Sequence, residues 1–304
     1  MLITLLHAGE LHGNWWLAWR ADPLLTPLLV AAAAGYLVAY RSAAKAGRPV
    51  PPDWQVVAYL AGLATLALAL TGPFDHFNGV LFSVHMTQHL LLMLVVAPLL
   101  LLGRPVQILL RGLPPRHSRA LMRHTVGHRR VRSVLTVLTH PVSVVLLFNG
   151  SFILWHLPRF YQAAVRNEMI HEIEHAAFLL TALLFWWVLI DPVPRHHRLS
   201  TTAAALALFA TWMASDLMCA TITLAQDLIY PIYADTPKPW GLTAYTDQRL
   251  GGIIMWVAGG VFYAAVLIGI LAVPYLRERP ARQVGSHAAT QMGGIEPSKD
   301  YPAG

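Results

Sequence analysis

Seven continuous apolar runs alternate with short polar segments along the chain. The runs cover residues 24–40, 54–71, 83–102, 134–155, 171–190, 201–224 and 250–275. Most of them reach the ~20 residues that a helix needs to cross ~30 Å of hydrocarbon at a rise of ~1.5 Å per residue. Polar residues do not alternate with apolar ones inside the runs, which disfavours a membrane β-barrel. The pattern predicts an all-α integral membrane protein, a seven-transmembrane-helix bundle formed by residues 1–279.

The amino-acid composition is that of a membrane protein rather than of a soluble domain. Of the 304 residues, 56% are hydrophobic and only 12% are charged, whereas roughly 25% of an average soluble domain is charged. A soluble fold of this length needs a polar surface that so few charges cannot provide, while a bilayer solvates an apolar outer face. Residues 280–304 are instead rich in Gly, Ala, Pro and polar residues, which predicts a disordered cytoplasmic tail.

The basic residues predict the orientation of the bundle. Lysine and arginine concentrate in the segments after the first, third, fifth and seventh runs, and segment 103–133 is the richest in arginine. Because cytoplasmic segments carry the excess of basic residues, the amino terminus is predicted outside the cytoplasm and the carboxyl terminus inside. The net charge of +7 then reflects orientation and contact with the lipid bilayer, and we expect no nucleic-acid partner. The first basic residue is Arg20, so no signal-peptide n-region is expected at this start.

Five histidines carry the strongest indication of chemistry. His85 and His89 are four residues apart in the third run, His171 and His175 are four apart in the fifth, and His156 closes the fourth. A spacing of four places both side chains of a pair on one helix face, and the predicted topology brings all five to the outer end of the bundle. Ionisable residues are costly in hydrocarbon, and neutral imidazole suits copper, zinc and iron. The pattern predicts a metal or haem site, the alternative being histidines that only hydrogen-bond neighbouring helices.

Carboxylates near these histidines allow two interpretations. His171, Glu172 and His175 match the H-E-x-x-H motif, in which two histidines bind zinc and the glutamate acts as the general base of a peptidase. Glu174 is predicted instead to orient a ligating imidazole by accepting a hydrogen bond from its second nitrogen. Asp247 opens the seventh run, where a carboxylate can cap exposed amide groups, and is the other candidate for a supporting role.

The sixth run and its neighbours supply weaker candidate ligands. Asp216 and Cys219 are three residues apart on one face of the sixth run, and Met218 lies beside them. Thioether and thiolate sulfurs favour Cu(I), although methionine in an apolar helix usually serves packing. Met86 and Met255 are further sulfur candidates of the same kind. Cys219 is the single cysteine, so no intrachain disulfide is expected.

Three blocks of residues follow one another in a characteristic order. The first is residues 85–93, His-Met-Thr-Gln-His-Leu-Leu-Leu-Met, with Pro98 and Gly103-Arg104-Pro105. The second is Trp155-His156-Leu157-Pro158 with Tyr161, His171, Glu174, His175, Phe178 and Phe185-Trp186-Trp187. The third is Tyr230-Pro231-Ile232-Tyr233 with Trp240-Gly241, Asp247-Gln248, Gly251-Gly252 and Met255-Trp256. In this order the blocks resemble the CtaG family of multi-span cytochrome c oxidase assembly factors.

The resemblance implies a function and a location. It implies a non-enzymatic assembly factor for haem-copper cytochrome c oxidase in the bacterial cytoplasmic (inner) membrane, linked to copper supply. Its partners would be oxidase subunits in the same membrane. Association with further copies of the same chain, as a homo-oligomer, stays open as an additional interaction. The histidines that match the family pattern are His85, His89, His156, His171 and His175.

Three other functions stay open from the sequence. His89 and His175 on different helices are able to clamp a haem, which would make the protein a b-type electron carrier. The H-E-x-x-H motif would make it an intramembrane zinc metallopeptidase. A scaffold that binds oxidase subunits without any metal is the third alternative.

Overall fold

The computed structural model describes residues 19–124, 127–190, 199–236 and 238–292, which form helices and no strands. Thirteen α-helices lie within these ranges: α1 (Leu25–Lys45), α2 (Asp53–Thr71), α3 (Pro73–Phe77), α4 (Phe82–Leu90), α5 (Ala97–Leu102), α6 (Pro105–Gly112), α7 (Pro115–His124), α8 (Arg129–Leu138), α9 (Pro141–His156), α10 (Pro158–Arg166), α11 (Glu168–Ile190), α12 (Thr201–Leu224) and α13 (Ala244–Met292). A π-helical segment, Leu91–Val96, joins α4 to α5, and two 3-10 turns, Pro231–Tyr233 and Pro239–Gly241, lie between α12 and α13.

Six helical stretches of the described chain are long and apolar enough to cross a bilayer. They are Leu25–Lys45, Asp53–Phe77, Phe82–Gly112, Glu168–Ile190, Thr201–Leu224 and Ala244–Ala272. Each corresponds to one of the predicted apolar runs. The protein is therefore a multi-pass helical membrane protein with six such stretches, or seven if the bent pair α8 and α9 forms one span.

The fourth predicted run is not one continuous helix. The sequence predicts a span over 134–155, but α8 ends at Leu138, α9 begins at Pro141, and the two are bent by 64°. Proline lacks the amide hydrogen needed to continue a helix and is favoured at a first helical position, which explains the break. The 16 residues of α9 measure about 24 Å, less than the ~30 Å hydrocarbon thickness.

The last helix also extends further than the sequence predicts. The backbone of α13 stays helical through Met292, past residue 280, where a disordered tail was expected to begin. The alanine, arginine and glutamine residues in this part are good helix formers, so a helix that already exists continues through them. Residues 293–304 of the predicted tail lie outside the described residues.

The π-helical segment shapes the helix that carries the first histidine pair. Extra backbone groups in such a turn lack their usual helical partners, and π-turns are frequent at functional sites. Here the buried Trp186 of α11 donates its indole N–H to the carbonyl oxygen of Met93 at 2.8 Å. The irregular turn is thereby tied to α11, the helix that carries the second histidine pair.

The amino-terminal end of α4 is held by a carboxylate from α13. Asp247 is fully buried and accepts hydrogen bonds from the backbone N–H of Phe82 at 2.7 Å, the backbone N–H of Ser83 at 3.2 Å and the Ser83 hydroxyl at 2.5 Å. A Cβ at Gly251 would lie 2.5 Å from the Phe82 ring, so only glycine allows α13 to approach α4 this closely. Asp247 thus caps α4 rather than the helix to which it belongs.

We expect the substitution Asp247→Ala to destabilise the bundle by about 1–3 kcal/mol, because it leaves buried N–H groups of α4 without an acceptor. Thermal unfolding of the purified protein in detergent measures the loss. The matched control is Asp22→Ala, since Asp22 Oδ1 also accepts from backbone N–H groups at a helix start, those of Leu24 and Leu25, but in contact with water. An equal loss of stability in both variants would contradict the clamping role of Asp247.

Candidate metal centre

Two helices bring four histidines together inside the bundle. His85 and His89 come from α4, His171 and His175 come from α11, and one ligand atom from each lies within 4.8 Å of every other. On both helices the spacing of four residues places the pair on the face that meets the other helix. His85, His89 and His175 are buried, and His171 is half-buried at the rim. We refer to these four side chains as the histidine cluster.

A buried glutamate points into the histidine cluster. Glu174 Oε2 lies 3.6 Å from His85 Nε2 and 3.8 Å from His89 Nε2, and its side chain is fully buried. The sequence predicted this residue as a supporting partner of a ligating imidazole. In the structure its carboxylate faces the same space as the imidazole nitrogens, so it is equally placed to contact a bound cation.

The cluster contains buried polar atoms that have no hydrogen-bond partner within the described chain. They are both ring nitrogens of His89, both carboxylate oxygens of Glu174, and Nε2 of His175. Leaving one such group unsatisfied costs about 1–3 kcal/mol, so a native protein retains them only where something else satisfies them. This concentration of bare nitrogen and oxygen atoms at one place is the feature expected of a ligand site.

The donor set fits a small transition-metal ion. Nitrogen ligands of zinc lie about 2.0–2.1 Å from the metal, so four tetrahedral ligands are separated by about 3.4 Å. In the cluster the Nε2 atoms of His85 and His171 are 3.2 Å apart, and the widest separation is 4.8 Å. The four nitrogens are therefore close to the spacing of a coordinated set, and Glu174, once deprotonated, would supply the negative charge that a buried cation needs.

His156 lies beside the cluster rather than within it. Its ring, at the end of α9, is buried, and its centroid is 6.2 Å from that of His89. His156 Nδ1 is 2.7 Å from the carbonyl oxygen of Phe152. A carbonyl only accepts, so Nδ1 carries the proton and Nε2 is a bare, buried acceptor with no partner in the described residues.

Two tyrosine hydroxyls contact the far side of the His85 ring. His85 Nδ1 lies 3.0 Å from the hydroxyl of Tyr161 in α10 and 3.2 Å from that of Tyr233 in a 3-10 turn. Burial raises the pKa of both phenols, so both hydroxyls keep their protons at neutral pH. Both positions belong to the sequence blocks noted above, yet nothing in their spacing revealed the contact, because it joins three separate elements.

The weaker candidate ligands have a simpler explanation. Met86, Cys219 and Met255 are buried in one apolar cluster, and Met218 packs against its edge. Asp216 is half-buried on α12 and is not part of the histidine cluster. Packing accounts for the positions of the sulfurs, and a ligand role for any of these residues stays a prediction.

The arrangement of H-E-x-x-H does not match the needs of a peptidase. His171 and His175 face the cluster, but the side chain of Glu172 is exposed, whereas that of Glu174 is buried among the imidazoles. A general base must reach the water bound by the metal. The carboxylate that reaches this space belongs to Glu174, which occupies an unspecified x position of the motif rather than the position of its glutamate.

The helices and the buried cluster define a class: a multi-pass membrane protein with a candidate metal centre between two of its helices. Residues 34–277 match the family model described as cytochrome c oxidase caa3 assembly factor (Caa3_CtaG). Because this match covers most of the chain, the protein belongs to the Caa3_CtaG family, which confirms the resemblance found in the sequence.

Mycobacterial proteins are similar to this chain over most of its length. An uncharacterized protein of Mycobacterium leprae (strain TN) is 28% identical over 264 residues, which cover 84% of this chain and 39% of the relative. An uncharacterized protein of Mycobacterium bovis is 29% identical over 275 residues, covering 88% of this chain and 40% of the relative. The chain thus spans 39–40% of the length of these relatives. No solved structure matches the chain.

The unpartnered nitrogens predict opposite stability effects at two neighbouring histidines. In metal-free protein we expect His89→Leu to leave the unfolding temperature unchanged or higher, because it removes two unsatisfied buried nitrogens. His85→Leu should lower it, because it removes the partner of the Tyr161 hydroxyl. Thermal unfolding in the presence of a chelator compares the two variants. A loss of stability for His89→Leu as large as that for His85→Leu would show that the His89 nitrogens are already satisfied.

Proposed function

We propose that this protein supports the assembly of a haem-copper cytochrome c oxidase by binding a copper ion at His85, His89, His171 and His175 and passing it to an oxidase subunit. The observation that carries the proposal is the set of buried, unpartnered nitrogen and oxygen atoms in the histidine cluster. Membership of the Caa3_CtaG family supplies the context of oxidase assembly. The activity proposed is binding and transfer, with no catalysed reaction.

Copper is the metal that the site and the family favour together. Imidazole nitrogens bind copper, zinc and iron, and among divalent first-row metals a given nitrogen site binds Cu²⁺ most tightly. A haem-copper oxidase needs copper, whereas zinc would give the family no evident task. A haem held between His89 and His175 is less compatible with the geometry, because the ring centroids of these residues are 5.3 Å apart and the imidazoles of His85 and His171 crowd the same space.

His85 and His89 of the histidine cluster lie near one end of the helical stretch Phe82–Gly112, and the arginine-rich helices α7 and α8 follow its other end. His85 is in the first turn of α4, and the chain leads from there through α5 and α6 to the arginine-rich helices α7 and α8. If these basic helices are cytoplasmic, the cluster faces the outer side of a bacterial cytoplasmic membrane. We propose this orientation, with the amino terminus outside, because copper reaches the oxidase from that side.

The test compares the bound copper and the oxidase activity of two double variants. We expect His85→Ala/His175→Ala to abolish copper binding to the purified protein and to lower the copper content and activity of the oxidase in cells. The matched control is His117→Ala/His124→Ala, which removes two exposed histidines of α7 and should change neither. Metal analysis and oxidase assays provide the readouts.

Each alternative function gives a different outcome in the same experiment. The proposal would be overturned if the purified wild-type protein held no copper and the oxidase of the His85→Ala/His175→Ala strain still carried its normal copper. The protein would then be a metal-free scaffold. A Soret band in the wild-type protein would identify a haem carrier. Loss of function in Glu172→Gln with retained metal would favour the zinc peptidase.

A further inference from the structure

The His85 ring is held from both sides by different kinds of partner. Its Nε2 faces the histidine cluster, 3.2 Å from His171 Nε2 and 3.6 Å from Glu174 Oε2. Its Nδ1 faces the hydroxyls of Tyr161 and Tyr233, which are themselves 2.8 Å apart. The ring is fully buried, so water does not replace either set of contacts.

The hydrogen-bond chain behind His85 has a direction. The Tyr233 hydroxyl lies 2.9 Å from the carbonyl oxygen of Asn78, which only accepts, so Tyr233 donates its single proton there. The Tyr233 oxygen is then an acceptor, and the Tyr161 hydroxyl at 2.8 Å is placed to donate to it. With both phenol protons used in this way, His85 Nδ1 meets only oxygen lone pairs and must carry its proton itself.

This arrangement leaves Nε2 of His85 without a proton. A neutral imidazole has one N–H, so a proton on Nδ1 makes Nε2 a bare acceptor that faces the cluster. The opposite arrangement, in which Tyr161 donates to Nδ1, places the proton on Nε2, at the position that an ion would occupy. Only the first arrangement prepares His85 as a ligand.

The tyrosines are themselves held in place by backbone and side-chain contacts. Tyr233 lies in the 3-10 turn Pro231–Tyr233, and the ammonium group of Lys238 donates to its backbone oxygen at 2.6 Å. Tyr161 lies in α10 and is fully buried, and its ring is tilted by 50° against that of Tyr230 at a centroid distance of 4.4 Å. The two hydroxyls therefore have little freedom to move away from His85.

We propose that Tyr161 and Tyr233 are positioning residues that hold His85 in the Nδ1–H tautomer, so that its Nε2 is ready to bind a cation. The inference rests on the proposed metal site and adds the residues that set one of its ligands. Groups of this kind fix the tautomer and raise the basicity of the ligand, and their loss typically weakens metal binding 10–100-fold.

The test uses phenylalanine substitutions, which keep the aromatic packing and remove only the hydroxyls. In Tyr161→Phe or Tyr233→Phe one oxygen acceptor remains, so we expect a copper affinity a few-fold lower. In the double variant neither hydroxyl remains, and we expect a loss of about 10–100-fold. The matched control is Tyr230→Phe, because Tyr230 is equally buried and donates to the backbone oxygen of His156 instead, at 2.7 Å.

A second readout reports the tautomer without any metal. In protein with ¹⁵N-labelled histidine, the nitrogen chemical shifts of His85, assigned by comparison with His85→Gln, distinguish Nδ1–H from Nε2–H. We expect Nδ1–H in metal-free wild type and in Tyr230→Phe, and a shift towards Nε2–H in Tyr161→Phe/Tyr233→Phe. If the double variant does not fold, each single variant should still show a partial shift.

The outcomes separate this inference from the proposed function. Wild-type protein with the Nδ1–H tautomer but no copper binding would overturn the copper function and leave the tyrosine contacts as described. Copper binding by Tyr161→Phe and Tyr233→Phe equal to that of Tyr230→Phe, or Nε2–H in the wild type, would overturn the positioning role while leaving the copper site intact.

Discussion

Hydrocarbon offers no hydrogen bonds, so every polar atom buried in a membrane protein needs a partner within the protein. Most of the buried polar groups that shape this bundle meet that requirement. The Trp186 indole finds the carbonyl of Met93, and the Asp247 carboxylate finds the start of α4. In the described residues Ser151, Trp212 and Thr223 each leave one buried polar atom without a partner, whereas His89 and Glu174 together leave four such atoms bare at one place, which is an exception of a different kind. These atoms are of the kind that bind metals, and they lie together where two helices meet. A bound ligand explains such a concentration better than imperfect packing does.

The same constraint explains why the supporting structure is rigid. The first turn of α4 is capped by Asp247 from α13, and the π-helical segment after it is tied to α11 through Trp186. These two contacts fix α4 above and below the histidine pair, and they fix it against two different helices. Coordination chemistry tolerates errors of a few tenths of an ångström, so the positions of His85 and His89 depend on these distant contacts as much as on their own neighbours.

The sequence predicted the parts of this structure that depend on helical periodicity and on apolar length. Six of the seven runs and the meeting of His85, His89, His171 and His175 follow from these rules. The inward direction of Glu174 was also accessible, because a residue three positions after His171 shares its face, whereas Glu172 is turned by about 100°. The break before Pro141 was visible as a proline inside an apolar run. The contact of Tyr161 and Tyr233 with His85 was not, because it depends on how a short helix and a 3-10 turn fold over the bundle.

The gradient of burial along the histidines bears on how an ion would enter and leave. His171 is half-buried at the start of α11. Its ring centroid lies 4.8 Å from that of His85, and the ring centroid of His89 lies 4.4 Å from that of His85. His156, fully inside, lies 6.2 Å beyond His89. Under the proposed function, an ion meets one accessible imidazole first and exchanges ligands one at a time, so no step requires a bare cation in the apolar interior. Four ligands in one closed, fully buried shell would favour permanent retention, as structural metal sites do. In the histidine cluster one of the four candidate ligands, His171, is only half-buried, so the shell is open on that side, which favours transfer.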